Sequence, residues 1–134
     1  MIKILFADDE PIYIEGLIEK AKAEGCEVLI CDNASEAIDL VAKGDVDCLV
    51  IDIMMDPGVN LSDVEPHKAG LKAIDTILKL NPYQSIICLS VVSDQKIINS
   101  LKRKKVLYLR KGETPLNTAW RVIESKATGV YKVR

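Results

Sequence analysis

Five chemically useful side chains follow apolar runs in this chain. Asp52 closes Asp47-Cys48-Leu49-Val50-Ile51-Asp52, and Asp8 and Asp9 close Ile2-Lys3-Ile4-Leu5-Phe6-Ala7. Ser90 ends the run before Val91, and Lys111 follows Val106-Leu107-Tyr108-Leu109-Arg110. If these runs are neighbouring parallel strands, three carboxylates, a hydroxyl and an ammonium meet at one edge of a sheet. Buried carboxylates repel one another, so such a cluster calls for a cation. Magnesium suits it, because that ion takes oxygen ligands, keeps several waters and usually uses one or two carboxylates. A lysine and a hydroxyl can hold phosphoryl oxygens while an aspartate attacks phosphorus, in a reaction that needs charge neutralisation and alignment above all. Each residue also has a bland reading: a cap for the helix at Pro11, a strand-end hydroxyl, a solvated lysine. Their order along the chain, each after its own apolar run, favours a site.

The elements that would position them alternate. Strands are expected at Lys3–Ala7, Glu27–Cys31, Cys48–Ile51, Ser85–Leu89 and Val106–Leu109. Helix-period patterns lie between them. The first starts at Pro11 with Ile14, Leu17, Ile18 and Ala21 inward and stops at Gly25; the second spans Ala34–Lys43, with Ala34, Ala37, Ile38 and Val41 inward. The third spans Ala69–Leu80 with Leu71, Ile74, Ile77 and Leu78 inward, and the fourth Asp94–Lys104. The fifth, Pro115–Ala127, uses Leu116, Ala119, Trp120 and Ile123. This alternation predicts an α/β fold, a doubly wound five-stranded parallel sheet covered on both faces, with ligands beyond the strand carboxyl ends. One domain over residues 1–127 is expected, with 128–134 a tail or the start of a linker.

Bulk composition is that of an ordinary globular chain of 134 residues, 49% hydrophobic and 28% charged. Eighteen basic against twenty acidic residues give a net charge of −2, which offers no general argument for nucleic-acid or membrane binding. The amino-terminal apolar run is too short for a signal peptide or a spanning helix. Cys26, Cys31, Cys48 and Cys88 lack metal or redox spacing and read as reduced core residues, pointing to a cytoplasmic location.

Taken together, Asp8-Asp9-Glu10, Asp52-Ile53-Met54-Met55 with Pro57-Gly58, Leu89-Ser90, and Tyr108-Leu109-Arg110-Lys111-Gly112 resemble the receiver domain of bacterial two-component response regulators. The resemblance covers residues 1 to about 127 and implies a flavodoxin-like sheet of strand order 2-1-3-4-5. It implies that Asp52 accepts a phosphoryl group from a histidine kinase or a histidine phosphotransfer protein, the chain catalysing only its own modification. Asp9, Asp52 and the Met54 backbone carbonyl would ligate Mg2+, with Asp8 acting through a bound water. Ser90 and Lys111 would hold the phosphoryl oxygens, and Tyr108 would be the aromatic switch residue. A downstream protein would dock on helix four, strand five and helix five, with a homodimer left open and no direct nucleic-acid binding expected. For Tyr108 the alternative is plain half-buried packing.

Several departures from that pattern carry their own expectations. Gly70 is the counterpart of a glycine that family members place about ten residues earlier. The added loop, Asp56 to about Lys68, reads either as a lid or partner contact or as a tolerated insertion. His67 could join Asp56, Asp63 and Glu65 at a metal, or be solvated. Met54, Val91 and Val92 are apolar where they crowd the acceptor, so water for hydrolysis is poorly held and a long phosphoryl lifetime is expected. Gly112 replaces a common proline, so no cis peptide is expected there. The run Lys102-Arg103-Lys104-Lys105 is either favourable charge at a helix end or a patch for an acidic partner.

Two other functions fit less well. A magnesium-dependent phosphohydrolase with Asp52 as nucleophile needs an acid two residues on, where Met54 stands. A receiver acting by constitutive binding has no need of an intact acidic triad and lysine. A receiver cut from a longer regulator with an output domain is equally compatible with the tail.

Overall fold

The structure is a computed structural model and describes residues 1–129. Residues 130–134, most of the expected tail, lie outside the described residues. Five strands form one parallel sheet: β1 (Lys3–Ala7), β2 (Glu27–Cys31), β3 (Cys48–Ile51), β4 (Ile86–Ser90) and β5 (Leu107–Arg110), in the order β2-β1-β3-β4-β5. Helices α1 (Glu15–Ala23), α2 (Ala34–Ala42), α3 (Ala69–Leu80), α4 (Gln95–Arg103) and α5 (Leu116–Ala127) connect and follow the strands. The expected fold class and strand order are those observed.

The sheet separates two cores. Ile4, Phe6, Cys48, Val50, Ile87 and Leu89 pack with α1 and α5 on one face. Leu5, Ala7, Leu49, Ile51, Ile86 and Cys88 pack with α2, α3 and α4 on the other. Burial on both faces explains why β3 and β4 read as unbroken apolar runs, with every residue of each buried. The edge strands β2 and β5 are only partly covered, leaving Ile30 and Leu107 exposed.

Helix entries are set by local chemistry. The Asn33 side chain accepts from the Glu36 amide at 2.8 Å to cap α2, and Asp94 accepts from the Lys96 amide at 2.9 Å to cap α4. The first helix enters differently from the expectation. Pro11–Ile14 form a 3-10 turn, with the Tyr13 amide bonded to the Glu10 carbonyl at 3.2 Å, and the α-helix begins only at Glu15. Tyr13 lies in that turn and is exposed.

Two expectations about α3 and α5 need correction. Leu116 is exposed, because it lies in the first turn of α5 and reaches α1 at Gly16 instead of the sheet; a Cβ on Gly16 would sit 3.1 Å from it. Leu71 and Leu78 are half-buried at the margins of a face centred on Ala73, Ile74 and Ile77.

The loop between β3 and α3 is ordered by its own contacts. It carries 3-10 turns at Val59–Leu61 and Pro66–Lys68. The carbonyls of Asp56 and Pro57 accept from the amides of Ala34 and Ser35, both at 2.9 Å, which satisfies donors at the start of α2. Leu61 and Val64 add to the α2–α3–α4 core. Gly58, at φ 84°, lets the chain pass Asn33 and Ser35, where a Cβ would come within 2.4 Å of Asn33 Oδ1.

Candidate functional site

Register brings the expected residues to one sheet edge. Ala7 pairs with Ile51, so Asp8 and Asp52 leave adjacent strands side by side, and the Asp52 amide donates to the Ala7 carbonyl at 3.1 Å. Ser90 closes β4 one residue later than expected and pairs with Arg110, and the Lys111 amide donates to its carbonyl at 2.9 Å. The edge lies where the chain order reverses between β1 and β3, the switch point at which such sheets bind ligands.

Asp52 is buried and both of its oxygens are engaged. Oδ1 accepts from Ser90 Oγ at 2.6 Å and from the Met54 amide at 3.2 Å. Oδ2 accepts from Lys111 Nζ at 2.7 Å. The same ammonium donates to Asp8 Oδ2 at 2.6 Å, while Asp8 Oδ1 accepts from the Glu10 amide at 2.8 Å. Burial works against the Lys111 charge, but the hydrogen bonds it donates to Asp52 and Asp8 outweigh this and hold the ammonium above its usual range. Burial pushes the Asp8 carboxyl up, against the pull of the Lys111 hydrogen bond. Asp9 is exposed on the same turn; partial burial, then the charges of Asp52 and Glu10, push its carboxyl up as well.

Two carboxylates therefore share one ammonium, with a third acid close enough to feel Asp52. Among the described residues no three His, Cys, Asp or Glu side chains already converge at metal-holding distances. The donor chemistry nevertheless fits a hard divalent cation, since it is all oxygen and carries more negative charge than Lys111 neutralises. Magnesium is compatible with these residues on that ground.

A cleft of about 330 Å³ opens above Asp52, lined by Glu10, Tyr13, Asp52, Met54, Val91, Lys111 and Gly112. Met54 and Val91 flank it as the apolar crowding predicted. Val92 does not line it; its side chain packs on the α2–α3–α4 core and its carbonyl accepts from the Tyr108 hydroxyl. No residue of 56–68 lines the cleft either, so the loop is not a lid in this structure. Its glycine counterpart, Gly70, is where the loop matters most. The Gly70 amide donates to the Ile53 carbonyl at 2.8 Å, and a Cβ there would lie 2.0 Å from the Asp52 carbonyl oxygen. Only glycine lets α3 press this closely on the backbone of the Asp52 turn.

Tyr108 is half-buried and turned inward. Its hydroxyl donates to the Ser90 carbonyl at 3.1 Å and to the Val92 carbonyl. His67 pairs with Glu65 at 3.2 Å and joins no metal-holding group among the described residues. In the basic run, Lys104 is tied to Asp75 at 2.5 Å. The peptide after Lys111 is trans, and Gly112 takes φ 84°. Sequence reasoning did not reach Tyr13, whose ring centroid lies 5.6 Å from Lys111 Nζ. Its signal was the Pro11 turn, which changes the direction of the residue two places on.

The sequence matches the response regulator receiver domain family over residues 4–118. The chain belongs to that family, and it is a receiver domain of two-component response regulators. No curated protein matches it. Solved structures share the fold at low identity. A CheY-like receiver domain protein from Methanospirillum hungatei JF-1 is 17% identical with a TM-score of 0.81, covering 100% of this chain and 99% of that one. A Francisella response regulator receiver domain is 19% identical with a TM-score of 0.78, covering 97% and 99%. A Burkholderia pseudomallei response regulator with a phosphorylated aspartic acid, a calcium ion and citrate is 17% identical with a TM-score of 0.71, covering 99% of this chain and 72% of that one. No helix among the described residues is long and apolar enough to cross a membrane.

Proposed function

We propose that Asp52 accepts a phosphoryl group from the phosphohistidine of a histidine kinase or phosphotransfer protein, and that the modified chain alters its binding to a downstream protein. One observation carries this reading: the Asp52 carboxylate, at the floor of the cleft, already holds the Ser90 hydroxyl on one oxygen and the Lys111 ammonium on the other. Those two groups are what a phosphoryl group on that carboxylate needs as partners.

In the step itself an Asp52 oxygen attacks phosphorus, and the P–N bond to the donor imidazole breaks. The imidazole leaves with the bonding pair and takes up a proton. Asp8, Asp9, Asp52 and the Met54 carbonyl are the groups we assign to Mg2+, which supplies charge neutralisation for the transferring oxygens. Lys111, just after β5, neutralises the same oxygens. Aspartyl phosphate adds negative charge and acceptor oxygens at Asp52, as phosphorylation of a hydroxyl does elsewhere. Ser90 and Lys111 must then re-aim from carboxylate to phosphoryl oxygens, and Ser90 carries the Tyr108 contact with it. Moving such an equilibrium from 1:99 to 99:1 takes about 5.5 kcal/mol of differential interaction. The face of α4, β5 and α5 is where the change is read by the partner.

Incubation with acetyl phosphate and Mg2+, followed by intact mass measurement, tests the assignment. Addition of one phosphoryl group to the wild type and none to Asp52→Asn is expected. Equal addition to both would overturn it.

A further inference from the structure

Tyr13 presents an exposed ring at the mouth of the cleft, 65% accessible, although it belongs to neither the acidic cluster nor either core. What it faces is the Lys111 ammonium, 5.6 Å from the ring centroid, inside the range over which a cation is attracted to an aromatic face. Lys111 itself is only 7% exposed at its side chain, so little water competes for it. Gly112 takes φ 84°, and a Cβ built there would meet nothing within 4 Å. Beyond Lys111 the backbone closes as a turn, the Glu113 and Thr114 amides donating to the Arg110 carbonyl at 3.2 and 3.1 Å.

The geometry points to Tyr13 as the positioning residue for Lys111. The ring, carried by the 3-10 turn that follows Asp8-Asp9-Glu10, offers its face to the ammonium that the two carboxylates also hold. Three contacts in succession then bind the β1–α1 segment to the β5–α5 segment. These are Asp8 with Lys111 at 2.6 Å, Tyr13 with Lys111, and the approach of Leu116 to Gly16. When the phosphoryl group draws Lys111 away from Asp8, the ring limits how far the ammonium swings. Tyr13 touches no reacting atom in this role.

This inference rests on the proposed phosphoacceptor site for its functional meaning, but its first test does not. In the unphosphorylated chain, hydrogen exchange of the Lys111 ammonium is followed by NMR in wild type, Tyr13→Leu and Tyr13→Phe. Loss of the ring in Tyr13→Leu should speed exchange about 2- to 5-fold, the range for cation–π contacts at exposed rings, and Tyr13→Phe should restore the slow rate. The same order should appear in the rate of Asp52 modification by acetyl phosphate. In a Lys111→Met background Tyr13→Leu should have no further effect on that rate. Wild-type exchange in Tyr13→Leu, or fast exchange in Tyr13→Phe, overturns the inference, as does an undiminished Tyr13→Leu effect without Lys111. Failure of Asp52 itself to be modified in the wild type would instead overturn the phosphoacceptor reading. Since Tyr13 is exposed, unchanged thermal unfolding of the variants serves as the control for folding.

Discussion

The hydroxyl of Tyr108 donates to the backbone carbonyl of Ser90 at 3.1 Å, while the hydroxyl of the same serine donates to Asp52 at 2.6 Å. Ser90 is thus bonded at both ends, by its side chain to the acceptor and by its backbone to the aromatic residue on β5. The Lys111 amide shares that carbonyl at 2.9 Å. Any movement of Ser90 toward a phosphoryl group pulls on Tyr108 through one peptide unit. In the proposed function these bonds are the route by which modification of Asp52 reaches Tyr108 on β5.

Tyr108→Phe removes the donor and leaves the Ser90 and Val92 carbonyls short of one partner. The cost to stability should be small, about 1 kcal/mol by urea unfolding. The larger effect should fall on the 91–94 segment, whose amide resonances should broaden or shift in the unmodified chain and respond less to modification of Asp52. Unchanged resonances there would remove Tyr108 from the switch.

Gly70→Ala places a methyl group 2.0 Å from the Asp52 carbonyl oxygen and 2.6 Å from Ile53 Cα. Neither backbone can yield without moving the acceptor turn or the start of α3. We expect a loss of about 3 kcal/mol in stability, at the upper end for overpacking, together with a much weaker response to Mg2+. Wild-type stability in urea would mean that α3 can slide away without consequence.

Proton linkage at the acidic cluster has a definite sign. Asp8 and Asp9 have raised carboxyl values in the folded chain, burial being the largest cause for each. Their contribution to stability is present below the ordinary carboxylate range and is lost as pH rises through the raised values. Mg2+ must displace those same protons. Its apparent affinity by calorimetry should therefore fall on acidification from a higher pH than for ordinary carboxylates. Lys111 is also raised, so its stabilising ion pairs persist through neutral pH and are lost only as pH climbs through its folded value, above 10.5. A Mg2+ affinity independent of pH between 4 and 7 (roughly the span over which raised carboxyls titrate) would contradict the metal assignment.

Met54 and Val91 line the cleft with apolar groups, and both are exposed enough to meet an incoming water. Hydrolysis of the acyl phosphate on Asp52 should be slow, and Met54→Asn should speed it several-fold by holding a water near phosphorus. Decay of the modified mass after removal of the donor measures this. Val92 is left out of the test, because a charge at that position would be driven into the core that its side chain contacts. Equal decay in wild type and Met54→Asn would show that access of water does not set the lifetime.

Much of this was legible in the chain because strand-end chemistry is local. A buried strand such as Cys48–Ile51 must be apolar throughout, so Asp52 immediately after it stands out, and Asp8 and Ser90 do so for the same reason. Other features depend on directions that periodicity does not encode. Tyr13 points to the cleft because Pro11–Ile14 wind as a 3-10 turn, and Leu116 stays outside because α5 opens over Gly16. The path of residues 56–68 depends on unsatisfied donors at the start of α2, which no hydrophobic pattern marks. Gly70 could be matched to its family counterpart, yet the reason for it, the Asp52 carbonyl at its Cα, exists only in three dimensions.

An NMR titration of the chain with beryllofluoride and Mg2+ tests most directly whether Asp52 is the acceptor and Ser90 and Tyr108 respond to it. Changes centred on Asp52, Ser90 and Lys111 that extend through Val92 to Tyr108 are expected, all absent in Asp52→Asn. Changes that persist in Asp52→Asn, or binding at Asp52 that leaves Ser90 and Tyr108 undisturbed, would contradict that expectation.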